Sequence, residues 1–490
     1  STLLASSAAS DVYKRQAAMS AQASDMSGWL LMGLPGAVYL AGTGEAWIAV
    51  GLLIGTILNW YIVSARLRKY TIVAGNSLTI PSFFKNRYRD HKNIIKIVSA
   101  SIIAVFFTVY TASAFSSGAK LFATLFSDSA SGDENYNQVY VIGLIVAAVV
   151  ILVYTFMGGF KAVCTTDLIQ GLMMIVAILS VPVLAYAILT FDTGFSSALA
   201  AKGVEQPAQF LNFFVNGDGT PVSAVSIISN LAWGLGYFGM PHILVRFMAV
   251  KSNEEIKKSR KIAVVWVIIS LTASCLIGLI ARGYLTAQLD DATSESVFIR
   301  TIQQLFSGNG VLIFIGGIFL CGILAAIMST ADSQLLVTAS AVSEDLYKGA
   351  VKKNASEKSS LLVGKIAVAV VAVIAFFIAL NPKSSIMGLV SDAWAGFGSA
   401  FGPVVLLALF WKRSTLSGAI SGMATGALTV IIWDYIPLVN GQTLYAATNL
   451  YSLVVGFGLA LIVNVIVSLL SKKPSKEIMD EFDSIKNIEV

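Results

Sequence analysis

A series of long apolar runs recurs along almost the whole chain, and this feature most constrains how the chain can fold. A helix needs about 20 mostly apolar residues to cross the hydrocarbon core of a bilayer. Twelve runs meet that requirement. They cover residues 19–42, 45–64, 94–126, 138–157, 161–190, 223–249, 261–286, 311–343, 361–380, 385–411, 415–437 and 446–470. The chain is therefore predicted to be an all-α polytopic protein of a lipid bilayer.

Composition and charge exclude the main soluble alternatives. Charged residues make up only 12% of the 490 residues, about half the share found in soluble domains. The net charge of +6 lies in short clusters between the runs, which argues against a nucleic-acid partner. Two histidines and three cysteines without metal-ligand spacing, and no phosphate-binding loop, make a zinc centre or a catalytic triad unexpected. We expect no enzyme activity and no organic cofactor.

The charges between the runs alternate along the chain and predict its orientation. The segment 65–92 is basic, the segment 127–137 is acidic, and the alternation continues to the basic start of the C-terminal tail. Basic loops stay in the cytoplasm. The first run is therefore predicted to cross from inside to outside, and the C-terminus to be cytoplasmic.

Two of the runs contain an unusual density of glycine and proline. The first contains the stretch 24–29, followed by Gly33, Pro35 and Gly36, and the sixth contains the segment 233–242, with three glycines and a proline. By the charge pattern these two runs cross the membrane in opposite directions. Interrupted helices at corresponding positions of two inverted halves indicate a transporter whose site lies at the breaks. Glycine-mediated packing of helices is the alternative interpretation.

Acidic and hydroxyl side chains lie inside the apolar runs. Asp25 falls in the first interruption, Asp167 early in the fifth run, and Asp332 in the eighth. A carboxylate at membrane depth is costly and usually faces a cavity or a partner, although for Asp167 a position at the membrane interface is an equal alternative. Ser329 and Ser333 share one helical face, and hydroxyl oxygens suit Na⁺. Their ordinary alternative is bonding to carbonyls one turn back.

Four stretches, 23–37, 233–242, 323–330 and 393–403, carry a resemblance to a known family. Through them, and over residues 17–470 as a whole, the chain resembles the sodium:solute symporter family, most closely its sodium/proline branch. That family has the leucine-transporter fold of two inverted five-helix repeats. The resemblance implies repeats over 17–190 and 191–411 (the second with its preceding extracellular loop), two further helices over 412–470, and a cytoplasmic tail over 471–490.

The N-terminus departs from the family pattern. Residues 1–16 share neither the composition nor the rhythm of the rest, and we interpret them as a non-native tail. The family also has one helix before the repeats, and we expect this helix to be missing here.

The resemblance implies a Na⁺-coupled secondary active symporter that imports L-proline across the plasma (inner) membrane by alternating access. It also implies roles for individual residues. Sodium ligands would be the carbonyls of Ala23, Met26 and Ala326 and the hydroxyls of Ser329 and Thr330. Asp25 and Asp167 match aspartates that the family needs for coupling. The positions associated with substrate binding or gating are Ser27, Trp29, Tyr110, Trp233, Tyr237 and Pro241.

Asp332 departs from the hydroxyl residue that is usual in the proline branch. With Asp167 and Ser333 it forms a candidate second cation site. Pairing of Asp332 with a basic residue, or exposure of Asp332 to a cytoplasmic vestibule, is the competing interpretation.

Other functions remain open alongside proline import. The same mechanism could serve another amino acid, a sugar, pantothenate or a carboxylate. A transporter-like sensor is a further alternative, against which the short polar tail argues. The oligomeric state does not follow from the sequence.

Overall fold

The structure is a computed structural model that describes residues 26–127, 133–157, 160–192, 194–250, 252–352, 355–485 and 488. The side chains of residues 160–168, 253 and 350 are not described. The expectations for the segment 1–16 and for Ala23 and Asp25 therefore lie outside the described residues.

Helices form nearly all of the described secondary structure, as the all-α prediction requires. The α-helices are Leu34–Ala41, Trp47–Leu58, Ser64–Val73, Ile80–Arg87, Ile94–Phe126, Glu134–Met157, Phe160–Asp192, Phe195–Ala201, Pro207–Phe210, Ala224–Ala232, Pro241–Ala249, Asn253–Tyr284, Val297–Leu305, Gly310–Ser340, Glu357–Ala379, Ile386–Phe410, Leu416–Tyr435, Leu444–Thr448, Ser452–Leu470 and Lys476–Ser484. π-Helices cover Trp29–Gly33, Asn59–Val63 and Ala341–Val351, and 3₁₀ helices cover Gly42–Ala46, Trp233–Phe238 and Ser294–Ser296. A small antiparallel hairpin pairs Pro437–Val439 with Gln442–Thr443.

Ten of the described helical segments are long and apolar enough to cross a membrane. One of them, Trp29–Val73, covers the first two predicted runs. The boundary between these runs lies at Gly42, where the backbone has a φ of 77° and a 3₁₀ turn begins. The sixth run, 223–249, is not among the ten because its helix is broken into shorter pieces. The described segments therefore correspond to the predicted runs, and multiple membrane crossings are confirmed.

One long helix, Ile386–Phe410, forms the centre of the bundle. Of its most apolar 18 residues, 83% are buried inside the protein, against 33–56% in the other spans. It packs on Ile94–Phe126, on the 3₁₀ segment Trp233–Phe238, and on the two C-terminal spans Leu416–Tyr435 and Ser452–Leu470. The interrupted sixth run therefore lies against the most enclosed helix of the protein.

The outer helices expose apolar faces. On Glu134–Met157, Ile142, Val149 and Val153 lie on one face and are each at least half exposed. In water such an apolar surface would promote association with other apolar surfaces, whereas in a bilayer the lipid tails solvate it. The surface pattern therefore fits a protein surrounded by a bilayer.

The polar C-terminal tail contains a helix that docks on the basic loops. Ser475 caps Lys476–Ser484 by accepting the N–H of Ile478 at 3.4 Å. The buried ring of Phe482 lies 5.2 Å from the guanidinium carbon of Arg66. This contact ties the tail to helix Ser64–Val73, at the start of the basic segment 65–92.

Replacing Phe482 with alanine is expected to release this helix and to speed tryptic cleavage at Lys476 about 10-fold or more. Burying a phenylalanine ring contributes about 1.5–3 kcal/mol, and that contribution opposes local opening of the helix. Limited proteolysis in membranes measures the effect. Asp480→Ala, on the exposed face of the same helix, is the control and should leave cleavage unchanged. Equal cleavage of the two variants would show that Phe482 does not anchor the tail.

Candidate functional site

The first interruption consists of a non-helical start and a π-helix. Residues 26–27 are not helical, and the π-helix Trp29–Gly33 follows. The N–H of Leu34 donates to a carbonyl five residues back, and Pro35 has no N–H to donate. The described part of the first run therefore departs from regular α-helical bonding where glycine and proline predicted an interruption.

The predicted interruption of the sixth run is confirmed. Helix Ala224–Ala232 gives way to the 3₁₀ segment Trp233–Phe238, and a regular helix resumes only at Pro241. Two side chains from other helices bond to the carbonyls of this segment. Trp394 Nε1 donates to Trp233 O at 2.7 Å, and Asn59 Nδ2 donates to Tyr237 O at 3.0 Å. Side chains of two other helices therefore satisfy carbonyls that the interrupted helix leaves without regular helical donors.

The glycines of this segment also permit close packing. A Cβ atom at Gly234 would lie 2.2 Å from Gly51 O, and one at Gly236 would lie 1.9 Å from Trp394 Nε1. Glycine-mediated packing and an interrupted helix were alternative interpretations of the sequence, and the structure contains both.

The predicted sodium ligands of the eighth run form a compact oxygen cluster. Ser329 Oγ and Thr330 Oγ1 both donate to Ala326 O, at 3.1 Å and 3.2 Å. All three residues are buried. The hydroxyls therefore bond one turn back, and the same geometry gathers three oxygens that a cation can coordinate.

The first interruption lies beside this cluster. A Cβ atom at Gly28 would lie 3.7 Å from Ile327 Cγ1, so the backbone at residue 28 lies near the helix that carries the hydroxyls. Met26 is buried two residues earlier. Ala23 and Asp25, the other predicted ligand and coupling residue of this segment, are outside the described residues.

The aromatic side chains predicted at the two interruptions meet each other. The ring centroids of Trp29 and Trp233 are 6.3 Å apart, and Tyr237 lies edge-on to Trp394 at 5.1 Å. Tyr451 stacks on Trp233 at 5.5 Å. Sequence reasoning did not select Trp394 or Tyr451. Trp394 lies in the glycine-rich stretch 393–403, and this stretch could have indicated that Trp394 belongs to the site.

The remaining substrate candidates lie on the first run, on Ile94–Phe126 and on the sixth run. Ser27 and Tyr110 are buried, and Ser27 Oγ accepts the N–H of Trp29 at 3.4 Å. Tyr110 lies in Ile94–Phe126, where its carbonyl accepts the hydroxyl of Ser113 at 2.7 Å. Pro241 begins the second half of the sixth run.

The candidate second cation site contains two side chains with described partners. The hydroxyl of Thr155 donates to the carboxylate of the buried Asp332. Arg246 Nη2 donates to Ser333 Oγ at 3.0 Å. Asp167 belongs to the neighbouring helix Phe160–Asp192, but its side chain is outside the described set. Sequence reasoning missed Arg246, although a basic residue within the sixth run was a usable signal.

Comparisons with known proteins establish the family. A model of the sodium:solute symporter family matches residues 7–426. This chain belongs to the sodium:solute symporter family. The match begins within the segment 1–16. A sodium/proline symporter of Staphylococcus aureus is 43% identical over 479 residues, covering 96% of this chain and 88% of that protein. The protein of Staphylococcus aureus strain JH9 matches to the same extent.

Solved structures of Na⁺-coupled and related transporters share the fold. A substrate-bound, outward-open Na⁺-coupled sialic acid symporter superposes with a TM-score of 0.69 at 18% identity, over 94% of this chain and 91% of that one. A nucleobase-cation-symport-1 family transporter, closed with bromovinylhydantoin bound, superposes with a TM-score of 0.52 at 13% identity, over 96% and 95% of the two chains. The predicted leucine-transporter fold is therefore confirmed.

A cavity extends from the interrupted sixth run of this symporter toward its basic side. Its lining includes Pro241, Arg246, Thr79 and Asp345. Thr79 also lines a second, larger cavity. Among the lining residues of that larger cavity, Gly75, Ser82 and Asn86 lie in the basic segment 65–92, which the charge pattern assigns to the cytoplasm.

A buried ion pair lies on the acidic side of the protein. Lys120 Nζ and Glu295 Oε2 are 2.6 Å apart, and both side chains are less than 10% exposed. The carboxylate also accepts the backbone N–H groups of Ile386 and Met387, each at 3.0 Å. Burial alone would raise the pKa of Glu295, but Lys120 and the hydrogen bonds hold it below the ordinary value. The pair therefore joins three segments of the protein on the side opposite the cavity.

Proposed function

We propose that this symporter imports L-proline together with Na⁺ across the plasma membrane by alternating access. The observation that carries the proposal is the contact of Trp29 with Trp233, which brings the two interrupted runs together at one place. The 43% identity to a sodium/proline symporter over nearly the whole chain supports proline as the solute. The basic loops support a cytoplasmic C-terminus.

The repeats proposed for this fold place the two interruptions in equivalent positions. Residues 17–190 and 191–411 form the two inverted five-helix repeats in this proposal, 412–470 adds two helices, and 471–490 is the tail. Interrupted helices offer free carbonyls to a cation and helix N-termini to an anion. Proline, which carries a carboxylate and an ammonium group, suits such a site.

The proposed sodium site uses carbonyl and hydroxyl oxygens. Its ligands are the carbonyls of Ala23, Met26 and Ala326 with the hydroxyls of Ser329 and Thr330. The oxygen cluster on the eighth run, and the close approach of residue 28 to Ile327, support this assignment. Asp25 and Asp167 are proposed to couple Na⁺ binding to transport by adding negative charge near the path.

The proposed proline site uses the aromatic cluster. Trp29, Trp233 and Tyr237 offer apolar walls to the pyrrolidine ring. Ser27, Tyr110 and Pro241 lie on the elements around them and complete the proposed set.

The energy of one Na⁺ is enough for useful accumulation. Inward movement of one charge through 100 mV releases about 2.3 kcal/mol, and a tenfold Na⁺ gradient adds about 1.4 kcal/mol. Together these terms sustain a proline gradient of roughly several hundredfold.

A second cation between Asp167 and Asp332, with Ser333, is a separate proposal. Two facing carboxylates repel unless a cation or a proton lies between them. A second cation site predicts that two Na⁺ move with each proline, and that Asp332→Ser returns this ratio to one. A wild-type reversal potential that fits a single charge per proline would refute it and leave Asp332 as a partner of Thr155.

Uptake of labelled L-proline into proteoliposomes tests the proposed function. Uptake should require an inward Na⁺ gradient and fall to background when choline or K⁺ replaces Na⁺. Another amino acid, a sugar, pantothenate and a carboxylate serve as competing solutes. Equal uptake without Na⁺ would refute the coupling, and uptake of a sugar but not proline would refute the solute.

Substituting Tyr237 with alanine should raise the proline concentration for half-maximal uptake about 10-fold. The ring contributes apolar area and an edge-on contact with Trp394, and its loss removes a wall of the site. The Na⁺ dependence at saturating proline should change far less. Tyr445→Ala is the control, since Tyr445 is exposed outside the cluster. A larger effect on Na⁺ than on proline would contradict the assignment of Tyr237 to the substrate.

A further inference from the structure

The π-helix of the first run leaves one carbonyl without its usual donor. In an α-helix Leu30 O would accept the N–H of Leu34, but that N–H bonds one residue further back. In a continuing π-helix the donor would be residue 35, which is a proline. The hydroxyl of Ser274, a fully buried residue, donates to Leu30 O at 2.6 Å. Ser274 therefore supplies the hydrogen bond that the helix itself cannot make.

The same helix contacts the first run at two further points. The indole N–H of Trp266 points to Met26 Sδ at 2.6 Å. A Cβ atom at Gly278 would lie 2.4 Å from Pro35 O. Residues 266, 274 and 278 are separated by whole multiples of four, so they lie on one face of Asn253–Tyr284. This face follows the first run from its non-helical start to its proline.

We propose that Ser274 and Trp266 are positioning residues for the sodium site. They hold residues 26–30 in the irregular geometry that presents the Met26 carbonyl to Na⁺, without contacting the ion themselves. A backbone carbonyl inside a membrane protein needs a donor. Without the Ser274 hydroxyl, the first run regains a partner for Leu30 O by shifting its bonding register. That shift moves residues 26–28 relative to the hydroxyl cluster on the eighth run. The inference rests on the proposed function.

The test compares two serines of the same helix. Ser274→Ala should raise the Na⁺ concentration for half-maximal proline uptake about 3- to 10-fold, the effect of losing one buried hydrogen bond. The proline concentration for half-maximal uptake at saturating Na⁺ should change less than about twofold, and Ser274→Thr, which keeps a hydroxyl, should recover most of the Na⁺ affinity. Ser270→Ala is the control. Ser270 is equally buried, but its hydroxyl bonds to Val267 O of its own helix.

A second variant keeps the test decisive if Ser274→Ala does not insert. Trp266→Phe keeps an aromatic ring but removes the indole N–H, and it should also raise the Na⁺ concentration for half-maximal uptake. An unchanged Na⁺ dependence in every inserted variant would overturn the inference, and so would an equal rise in Ser270→Ala. A wild-type protein with no Na⁺ dependence would instead refute the proposed function. Na⁺-dependent wild-type uptake with an unaltered Ser274→Ala variant would refute the positioning role alone.

Discussion

Replacing Glu295 with glutamine is expected to slow proline uptake about 100-fold or more and to leave the acidic side of the protein open. The substitution leaves the Lys120 ammonium buried without its carboxylate whenever this side closes. Removing one partner of a buried ion pair costs about 3–5 kcal/mol. Alternating access requires closure of this side, and we expect the open state to expose the ammonium to water. The cost therefore raises the free energy of the closed conformation alone and shifts the equilibrium toward the open conformation.

Two measurements separate this effect from misfolding. A cysteine introduced by Ser384→Cys, next to the pair, should react faster with a membrane-impermeant thiol reagent in the Glu295→Gln background. Lys120→Met added to Glu295→Gln removes the stranded charge and should recover part of the uptake. Glu344→Gln is the control, because Glu344 and Lys348 form a partly exposed pair of the kind that contributes about 0–1 kcal/mol. Unchanged thiol reactivity together with normal uptake would contradict a role for the pair in closure.

The pH dependence of this closure follows from the direction of the pKa shift. The pKa of Glu295 lies below its ordinary value in the closed form. The contribution of the ion pair is therefore present above the ordinary carboxyl pKa and lost as the pH falls through the lowered value. Closure should be insensitive to pH changes around neutrality.

Removing either hydroxyl of the oxygen cluster is expected to raise the Na⁺ concentration for half-maximal uptake about 5- to 150-fold. Loss of one ligand from a desolvated cation is taken to cost about 1–3 kcal/mol, the penalty for an unsatisfied buried partner. Initial uptake rates of Ser329→Ala and Thr330→Ala over a range of Na⁺ concentrations measure the shift. Thr330→Ser, which keeps the hydroxyl, should fall close to wild type.

The control for this series lies two turns along the same helix. The hydroxyl of Thr338 bonds to Gln334 O, so Thr338→Ala removes a buried hydroxyl without touching the cluster. Its Na⁺ dependence should match that of wild type. Unchanged Na⁺ dependence in Ser329→Ala or Thr330→Ala would show that the cluster does not bind Na⁺. An equal shift in Thr338→Ala would show the same.

The bilayer explains why so much of this fold could be predicted from the sequence. Spanning segments must satisfy their backbone bonds internally, so their length and apolarity are visible in the chain itself. The glycines and prolines of the first and sixth runs mark departures from that rule, and irregular backbone appears in both. Trp29 and Trp233 could be selected as substrate candidates because they match positions of the family that the sequence resembles.

The contacts that join distant segments could not be predicted in the same way. Lys120 and Glu295 are 175 residues apart, and each alone is an ordinary charge near the end of an apolar run. Ser270 and Ser274 are indistinguishable in the sequence, since serine in an apolar helix usually bonds to its own helix. Only packing of the seventh run against the first makes Ser274 the donor to Leu30 O. The docked tail helix likewise depends on Arg66, which is 416 positions before Phe482 in the chain.

The most direct test of a joint Na⁺ and proline site at the two interruptions is the thermodynamic linkage between the two ligands. Proline affinity of the purified protein is measured with Na⁺ and with K⁺ in its place, and Na⁺ affinity is measured with and without proline. If both ligands bind at the meeting point of the first, sixth and eighth runs, each should raise the affinity of the other by the same factor, about 10-fold or more. Proline affinity that is equal in Na⁺ and K⁺ would contradict the account.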